Sequence, residues 1–363
     1  MKDINIFIYN KTWLESGMAN IVQTLHMADS LNRNADTTIF LRSKSENSEK
    51  IIENIISKKP KFNSIVRNQN SFVHFLSCLY ILSLKSRSET VFYSRTVIMC
   101  ILANLFGFNA VLELHQDKFG RSEFISKYFA KILNSHYFKS KIKLVVISES
   151  LKSIIIKKYM IQNTIFVSHD AANMPQKTFL NMSKRNRKLV VYTGKFGNDR
   201  SVDHILDLAT SDPESDFRII GGSPNEVKIF RKIIEKNNLK NLKVFKRQKY
   251  SRIRYFQCKA DILIAFWSSE VPTMEYCSPL KLFEYMQTGN KILLHDFKVF
   301  NEVIPTNNLI RKCIPDNKDS EIKEYKYLKN LEYTEKDKLN LISYASKYTY
   351  DNRARNIYEF IKI

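Results

Sequence analysis

At 363 residues the chain is too long for one ordinary core and about right for two α/β domains. A hydrophobic fraction of 44% without long polar tracts excludes a disordered chain. The 58 Lys+Arg against 36 Asp+Glu give a net charge of +22, which favours an anionic partner: nucleic acid, an anionic membrane surface and phosphorylated substrates all fit.

No stretch reaches the roughly 18 uninterrupted apolar residues of a membrane span. The start, MKDINIFIYN, places Asp3 and Asn5 where a signal peptide needs an apolar region, so a cytoplasmic protein is expected. Cys78, Cys100, Cys258, Cys277 and Cys313 form no C-x-x-C pair and read as reduced core residues, with neither disulfide nor zinc.

In chain order, residues 4–9 are a short apolar run suited to a buried parallel strand. Ser16-Gly17-Met18 then opens a helix with Ile21, Leu25, Ala28 and Leu31 on one face. Residues 37–41 read as the second strand and 44–61 as a polar, basic connection with a helical portion. A helix over 72–84, a strand over 90–93, a largely buried helix over 97–106 and a strand over 110–114 follow. That last strand delivers His115 to its carboxyl end, where open α/β sheets bind ligands. Residues 125–143 read as one basic helix interleaved with Tyr128, Phe129, Tyr137 and Phe138. Such a pattern fits an anionic membrane surface, or else aromatics facing a core and solvated lysines. A strand over 144–147, a helix capped by Ser148 and a strand over 165–168 close this half, and the polar, basic 177–188 is the expected linker.

A second sheet is predicted from the apolar runs 189–193, 217–220, 242–245, 261–266, 292–294 and 309–310, with helical patterns between them. Strands alternating with helices imply a doubly wound parallel sheet. Lys195 follows Gly194 at the end of the first of these strands, and Arg200 is expected to open the next helix. Two cations flanking a strand-to-helix loop suit a diphosphate. After 261–266 comes Ser278-Pro279-Leu280-Lys281-Leu282-Phe283-Glu284-Tyr285-Met286-Gln287-Thr288-Gly289. Ser278 is read as the N-cap, Pro279 as the first helical turn and Gly289 as a left-handed stop, so the amino end of the helix offers N–H groups to an anion. Residues 339–363 are helical.

The 278–289 run resembles the donor-site motif of family 4 glycosyltransferases of the GT-B fold, in the variant reading SPLKLFEYM-x-x-G. The resemblance implies two Rossmann-like, doubly wound parallel-sheet domains facing a cleft. Residues 1–180 would bind the acceptor and 181–340 the nucleotide sugar, with 341–363 crossing back to the first domain. It also implies that Ser278, Pro279, Leu280 and Lys281 receive the nucleotide diphosphate and that Glu284 binds the ribose. Gly17 would lie against the donor phosphates, the glycine usual before it being Ser16 here. His115 would contact the donor sugar near its reacting carbon. The pattern departs at the first of the family's two glutamates, a position held by Tyr276, with Glu275 one residue early. The family usually places arginine before lysine where Lys195 and Arg200 stand in reverse order.

The implied reaction is retaining transfer from a nucleotide diphosphate sugar, a UDP-sugar first and a GDP-sugar as alternative. The acceptor is a glycan or lipid-linked acceptor of bacterial surface polysaccharide synthesis. No metal and no separate cofactor are expected, since no Asp-x-Asp pair is present and Lys195, Arg200 and the 278–281 helix start would stabilise the leaving group. A nucleotide-sugar 2-epimerase of the same fold is the alternative enzyme. Nucleic-acid binding has charge alone in its favour, the cations being spread over both halves without a recognition motif. Location on the inner face of the plasma membrane follows if the basic 125–143 segment meets anionic lipid.

Overall fold

The computed structural model describes residues 4–16, 19–56, 58–180, 186–197 and 200–362. The chain folds as two compact units, one running to Asp170 and taking back Tyr350–Ile363, the other Ala171–Thr349. The exchange therefore falls earlier than the expected 180/181. The return segment begins later than 341, because 341–349 stays with the second unit, where the Tyr348 carbonyl accepts from the Ala172 N–H.

In the first unit β1 (Asn5–Trp13), α1 (Ala19–Leu31), β2 (Asp36–Arg42), α2 (Ser48–Ile56), β3 (Asn63–Arg67), α3 (Ser71–Ser83), β4 (Thr90–Ser94), α4 (Val97–Leu105) and β5 (Asn109–Leu114) alternate. They are followed by α5 (Glu123–Leu133), α6 (His136–Lys141), β6 (Ile142–Val146), α7 (Glu149–Tyr159) and β7 (Ile165–Val167). All seven strands are parallel, in the order β3-β2-β1-β4-β5-β6-β7. The order reverses between β1 and β4, the switch point at whose carboxyl ends sheets of this kind bind ligands. Ser148 caps α7 as read, its Oγ accepting from the Leu151 N–H at 2.9 Å.

The expected single helix over 125–143 is three elements. Asn134 closes α5 by donating its N–H to the Ala130 and Ile132 carbonyls. The extended Ser135 starts α6, and the β-branched Ile142 joins Ala110 in the sheet. Lys143 is consequently no surface lysine: its Nζ donates to the Phe360 and Ile361 carbonyls at 2.9 and 3.3 Å. The helix over 97–106 is buried on one side only, since Leu105 and Phe106 are exposed.

The second unit holds α8 (Lys177–Leu180), β8 (Leu189–Thr193), α9 (His204–Ser211), β9 (Asp216–Gly222), α10 (Pro224–Lys236), β10 (Leu242–Lys246) and α11 (Tyr250–Lys259). It continues with β11 (Ile262–Ala265), α12 (Leu280–Met286), β12 (Lys291–His295), β13 (Ile310–Cys313), α13 (Lys318–Asn330) and α14 (Glu335–Ala345). Its six strands are parallel in the order β10-β9-β8-β11-β12-β13, with the reversal between β8 and β11. Two cores flank this sheet: Val191, Leu263, Phe283 and Met286 belong to one, Val190, Ile219, Ile264 and Tyr325 to the other. The alternation of neighbours such as Val190 and Val191 between the two is the period-2 consequence of helices on both faces. The expected helix over 339–363 breaks at Thr349, and α15 (Tyr350–Lys362) packs on α1 in the first unit.

Five cysteines are free, with Cys78, Cys100 and Cys313 buried. Among the described residues no helix is long and apolar enough to cross a membrane.

Candidate functional site

The second unit gathers residues from two distant stretches at the carboxyl end of β8. Lys281 of α12 sets its Nζ 3.8 Å above the ring of the buried Tyr192 and 4.9 Å from that of Trp267, held there by cation–π attraction. Directly over it runs Gly194, at φ 153°. A methyl at Gly194 would lie 3.2 Å from the Lys281 Nζ and 3.1 Å from the Tyr192 hydroxyl. Lys195 follows, exposed, its carbonyl accepting from the Tyr192 hydroxyl at 2.8 Å.

Glu284 lies one turn further along α12. Gln257 of α11, fully buried, bridges the two stretches: its Nε2 donates to Glu284 Oε2 at 2.8 Å and to Thr193 Oγ1 at 2.9 Å. Arg254, one turn earlier, donates to the Glu284 carbonyl at 2.8 Å and to Gln257 Oε1 at 2.6 Å. Tyr285 accepts the Thr193 N–H on its hydroxyl at 2.9 Å. Gln257 thus anchors one of the two Glu284 carboxylate oxygens, Oε2.

Two local readings need correction. Ser278 is not the N-cap and Pro279 is not the first helical residue. Proline fixes φ alone, and Pro279 at ψ 108° is still extended, so it is the cap residue itself and α12 starts at Leu280. Gly289 is left-handed as read, at φ 69°, but α12 already ends at Met286 with Gln287 as its C-cap, and the glycine closes the turn that follows. Nor does Arg200 open α9: it lies in a turn, its N–H donating to the Gly197 carbonyl, and the helix begins at His204. Gly17 is outside the described residues. Glu275 is exposed, and Tyr276, at the position of the missing glutamate, is buried.

In the first unit β5 carries His115 to the sheet's carboxyl edge, as read, and ties it into a buried node. The His115 Nε2–H donates to Glu113 Oε1 at 2.6 Å, and Arg95 and Arg353 each donate to the same oxygen at 3.0 Å. Tyr93 donates its hydroxyl to Oε2 at 2.6 Å. Burial alone would raise the Glu113 carboxyl, but Arg95, Arg353 and His115 together hold it well below the usual carboxylate range. Arg353 belongs to α15, so the end of the chain supplies a partner beneath His115. Asp170 Oδ1 lies 4.0 Å from the other ring nitrogen. Glu113, His115 and Asp170 are close enough together to hold a metal ion. Arg95 and Arg353 are both ion-paired with the Glu113 carboxylate of this cluster. A small cavity beside Glu113 is lined by Asn10, Asn20, Thr24 and Arg95 among others.

A third cluster escaped the sequence reading. His295 and Glu321 are fully buried, His295 Nε2 lying 2.9 Å and His204 Nδ1 2.8 Å from the Glu321 carboxylate. Asp316 accepts from Ser201 and from the Ser269 hydroxyl and N–H, so the loops after β8, β11 and β13 are tied together. The hydrogen bond to Glu321 raises the His204 imidazole above its ordinary range against the opposing effect of burial. Only the position of His295 at the end of an apolar run was visible beforehand. Gln257 and Arg254 were equally hidden, as polar residues within an otherwise ordinary amphipathic helix.

No protein-family model matches the chain, and no curated protein matches it in sequence. Solved structures do match in fold. A glycosyltransferase from Rickettsia africae ESF-5 superposes with a TM-score of 0.76 at 14% identity over 100% of this chain and 98% of that one. HepE of Anabaena, in complex with UDP and glucose, gives 0.70 at 12% identity over 99% of each chain. The lipopolysaccharide outer core galactosyltransferase WaaB gives 0.66 at 16% identity, again over 99% of each. The similarity extends over both units, and the chain has the fold of the GT-B glycosyltransferases: two α/β domains, one built on a seven-stranded and one on a six-stranded parallel sheet.

Proposed function

We propose that the protein is a retaining, metal-independent glycosyltransferase resembling family 4, which moves a sugar from a UDP-sugar to a glycan or lipid-linked acceptor in surface polysaccharide synthesis. The observation that carries the reading is the meeting of Glu284, Gln257 and Thr193 beside Gly194 and Lys281, in a chain of this fold. HepE with UDP and glucose supports the choice of base, and WaaB supports a surface-glycan acceptor. The second unit takes the donor: Glu284 Oε1 accepts from ribose hydroxyls, and Lys195 and Arg200 face the diphosphate with the 278–281 segment. As the bond from the anomeric carbon to the β-phosphate oxygen breaks, its electron pair stays on that oxygen and the two cations stabilise the added charge. The acceptor hydroxyl forms the new bond on the same face, and its proton passes to the departing phosphate. The first unit takes the acceptor, and His115, aligned by Glu113, contacts the transferred sugar. Nucleotide sugars are cytoplasmic metabolites, so the reaction belongs on the inner side of the plasma membrane.

A thermal-shift screen of UDP- and GDP-sugars tests the reading. A UDP-sugar should raise the melting temperature of the native chain and leave Glu284→Ala unmoved. Absence of any shift with either nucleotide would overturn the donor assignment. Nucleotide release that depends on acceptor, undiminished by a chelator, is expected of transfer; conversion of the nucleotide sugar to its 2-epimer without acceptor is the epimerase outcome.

A further inference from the structure

The outer face of α3 and α4 is apolar and uncharged to a degree unusual for surface helices. Residues 71–84 contain no Asp, Glu, Lys or Arg, and neither do residues 96–110. On α3 the positions His74, Cys78 and Leu82 are buried against the sheet, which leaves Phe72, Leu76 and Tyr80 on the opposite stripe. Phe72 is 69% exposed, Tyr80 67% and Leu84, just beyond the helix, 68%. On α4 Leu105, 59% exposed, and Phe106 follow suit.

The two helices share one face of the sheet. Both cross in the same direction, β3 to β4 and β4 to β5, and right-handed crossovers then place them on one side. Arg87, after α3, lies against Gly107, after α4, so their carboxyl ends adjoin. The rim is cationic. Lys85 and Arg87 edge α3, and the 118–141 segment, with six Lys or Arg against the single acid Glu123, edges α4. It touches α4 through the Tyr137 hydroxyl, which donates to the Asn104 carbonyl, and Lys141 lies 4.1 Å over the Tyr137 ring.

We infer that the α3–α4 face docks on an anionic lipid leaflet, its apolar side chains entering the acyl boundary while the surrounding lysines and arginines meet headgroup phosphates. A second copy of the chain is the poorer occupant. A two-fold contact would bring this cationic rim against itself, whereas the leaflet complements both its apolar centre and its charge. The docking segment is thus not the 125–143 stretch alone, whose Lys143 is spent on the end of α15. The inference extends the lipid-linked acceptor reading but is tested without turnover, so the two fail separately.

The full chain is co-sedimented with phosphatidylcholine vesicles with and without phosphatidylglycerol, at rising salt. Binding is expected only with the anionic lipid and should weaken with salt. Leu76→Glu with Tyr80→Glu should lower the partition coefficient on the order of tenfold or more at unchanged melting temperature, because both side chains are already solvated. Lys139→Gln with Lys141→Gln keeps the apolar face and should reduce binding and its salt dependence, which decides the matter should the first pair fail to fold. Equal binding to neutral vesicles, no binding, or full binding by folded Leu76→Glu with Tyr80→Glu overturns the inference. A concentration-dependent dimer lost in that variant, without vesicle binding, would assign the face to a second copy.

Discussion

Glu284 is anchored through Oε2 to Gln257, and that asymmetry sets what its loss should do. If Oε1 and the ribose exchange two hydrogen bonds with charged character, each worth about 1.5–3 kcal/mol, then Glu284→Ala should raise the Kd for UDP by more than about a hundredfold. Gln257→Ala leaves the carboxylate in place but unheld, and should cost about tenfold. Calorimetric titration of UDP reads both, and an unchanged Kd in folded Glu284→Ala would remove the residue from the site. Arg353 poses a different question, since its guanidinium lies 4% exposed on an equally buried carboxylate. Arg353→Met leaves Glu113 with Arg95, His115 and Tyr93, and breaking such a pair costs about 3 kcal/mol. Urea unfolding should register that loss. A variant as stable as the native chain would mean that Arg95, His115 and Tyr93 suffice to hold Glu113.

Among elements, the ends of the paired strands β8 and β9 approach closely. Gly221, at φ 131°, faces Gly194 so closely that a methyl group would meet the Gly194 carbonyl oxygen at 2.1 Å, and backbone cannot swing aside as a side chain would. Gly221→Ala should therefore displace the 194–197 loop and weaken UDP binding about tenfold or more. At Gly222 the same methyl meets only the Phe196 ring, at 2.7 Å, so Gly222→Ala should have the smaller effect. Equal UDP affinities for Gly221→Ala and the native chain would show that the loop plays no part.

The sequence made Gly194 legible because a glycine ends an apolar run there, but Gly221, whose side chain the Gly194 backbone excludes, carries no signal until β8 and β9 pair. Most strands were readable for the same reason as β8: both faces are covered, so burial writes them as continuous apolar runs. The edge strand β3, NSIVR, is half-buried at best and has no continuous apolar run, so nothing was predicted between 61 and 72. Helix ends depended on contacts that periodicity does not contain, which is why Pro279 and Arg200 were misread by one and four positions. The outward stripe of α3 was invisible because an apolar helix reads the same whether its second face is covered or bare.

At the scale of the whole chain, protons act on the two units with opposite sign. In the first unit burial lowers His26 and His74 from the ordinary 6.5 to about 4. His26 stacks on Tyr350 beside Asp29 and Lys58, and His74 lies between Phe40 and Tyr9 near Arg42. The unfolded chain takes up these protons first. The stability of the neutral rings is therefore complete above about pH 6.5 and lost as pH falls towards 4. In the second unit His204 is raised by Glu321, so its contribution is complete below about pH 6.5 and lost as pH rises through its folded value. Lowering the pH from about 7.5 to about 5 should hence loosen the first unit while leaving the second intact or firmer. Hydrogen exchange at the two pH values, corrected for intrinsic rates, resolves this by peptide. Protection should fall in β1, β2 and α3 and hold in β12 and α13, and His204→Gln should abolish the pH response of the latter alone. Parallel loss of protection in both units would contradict the opposed titrations.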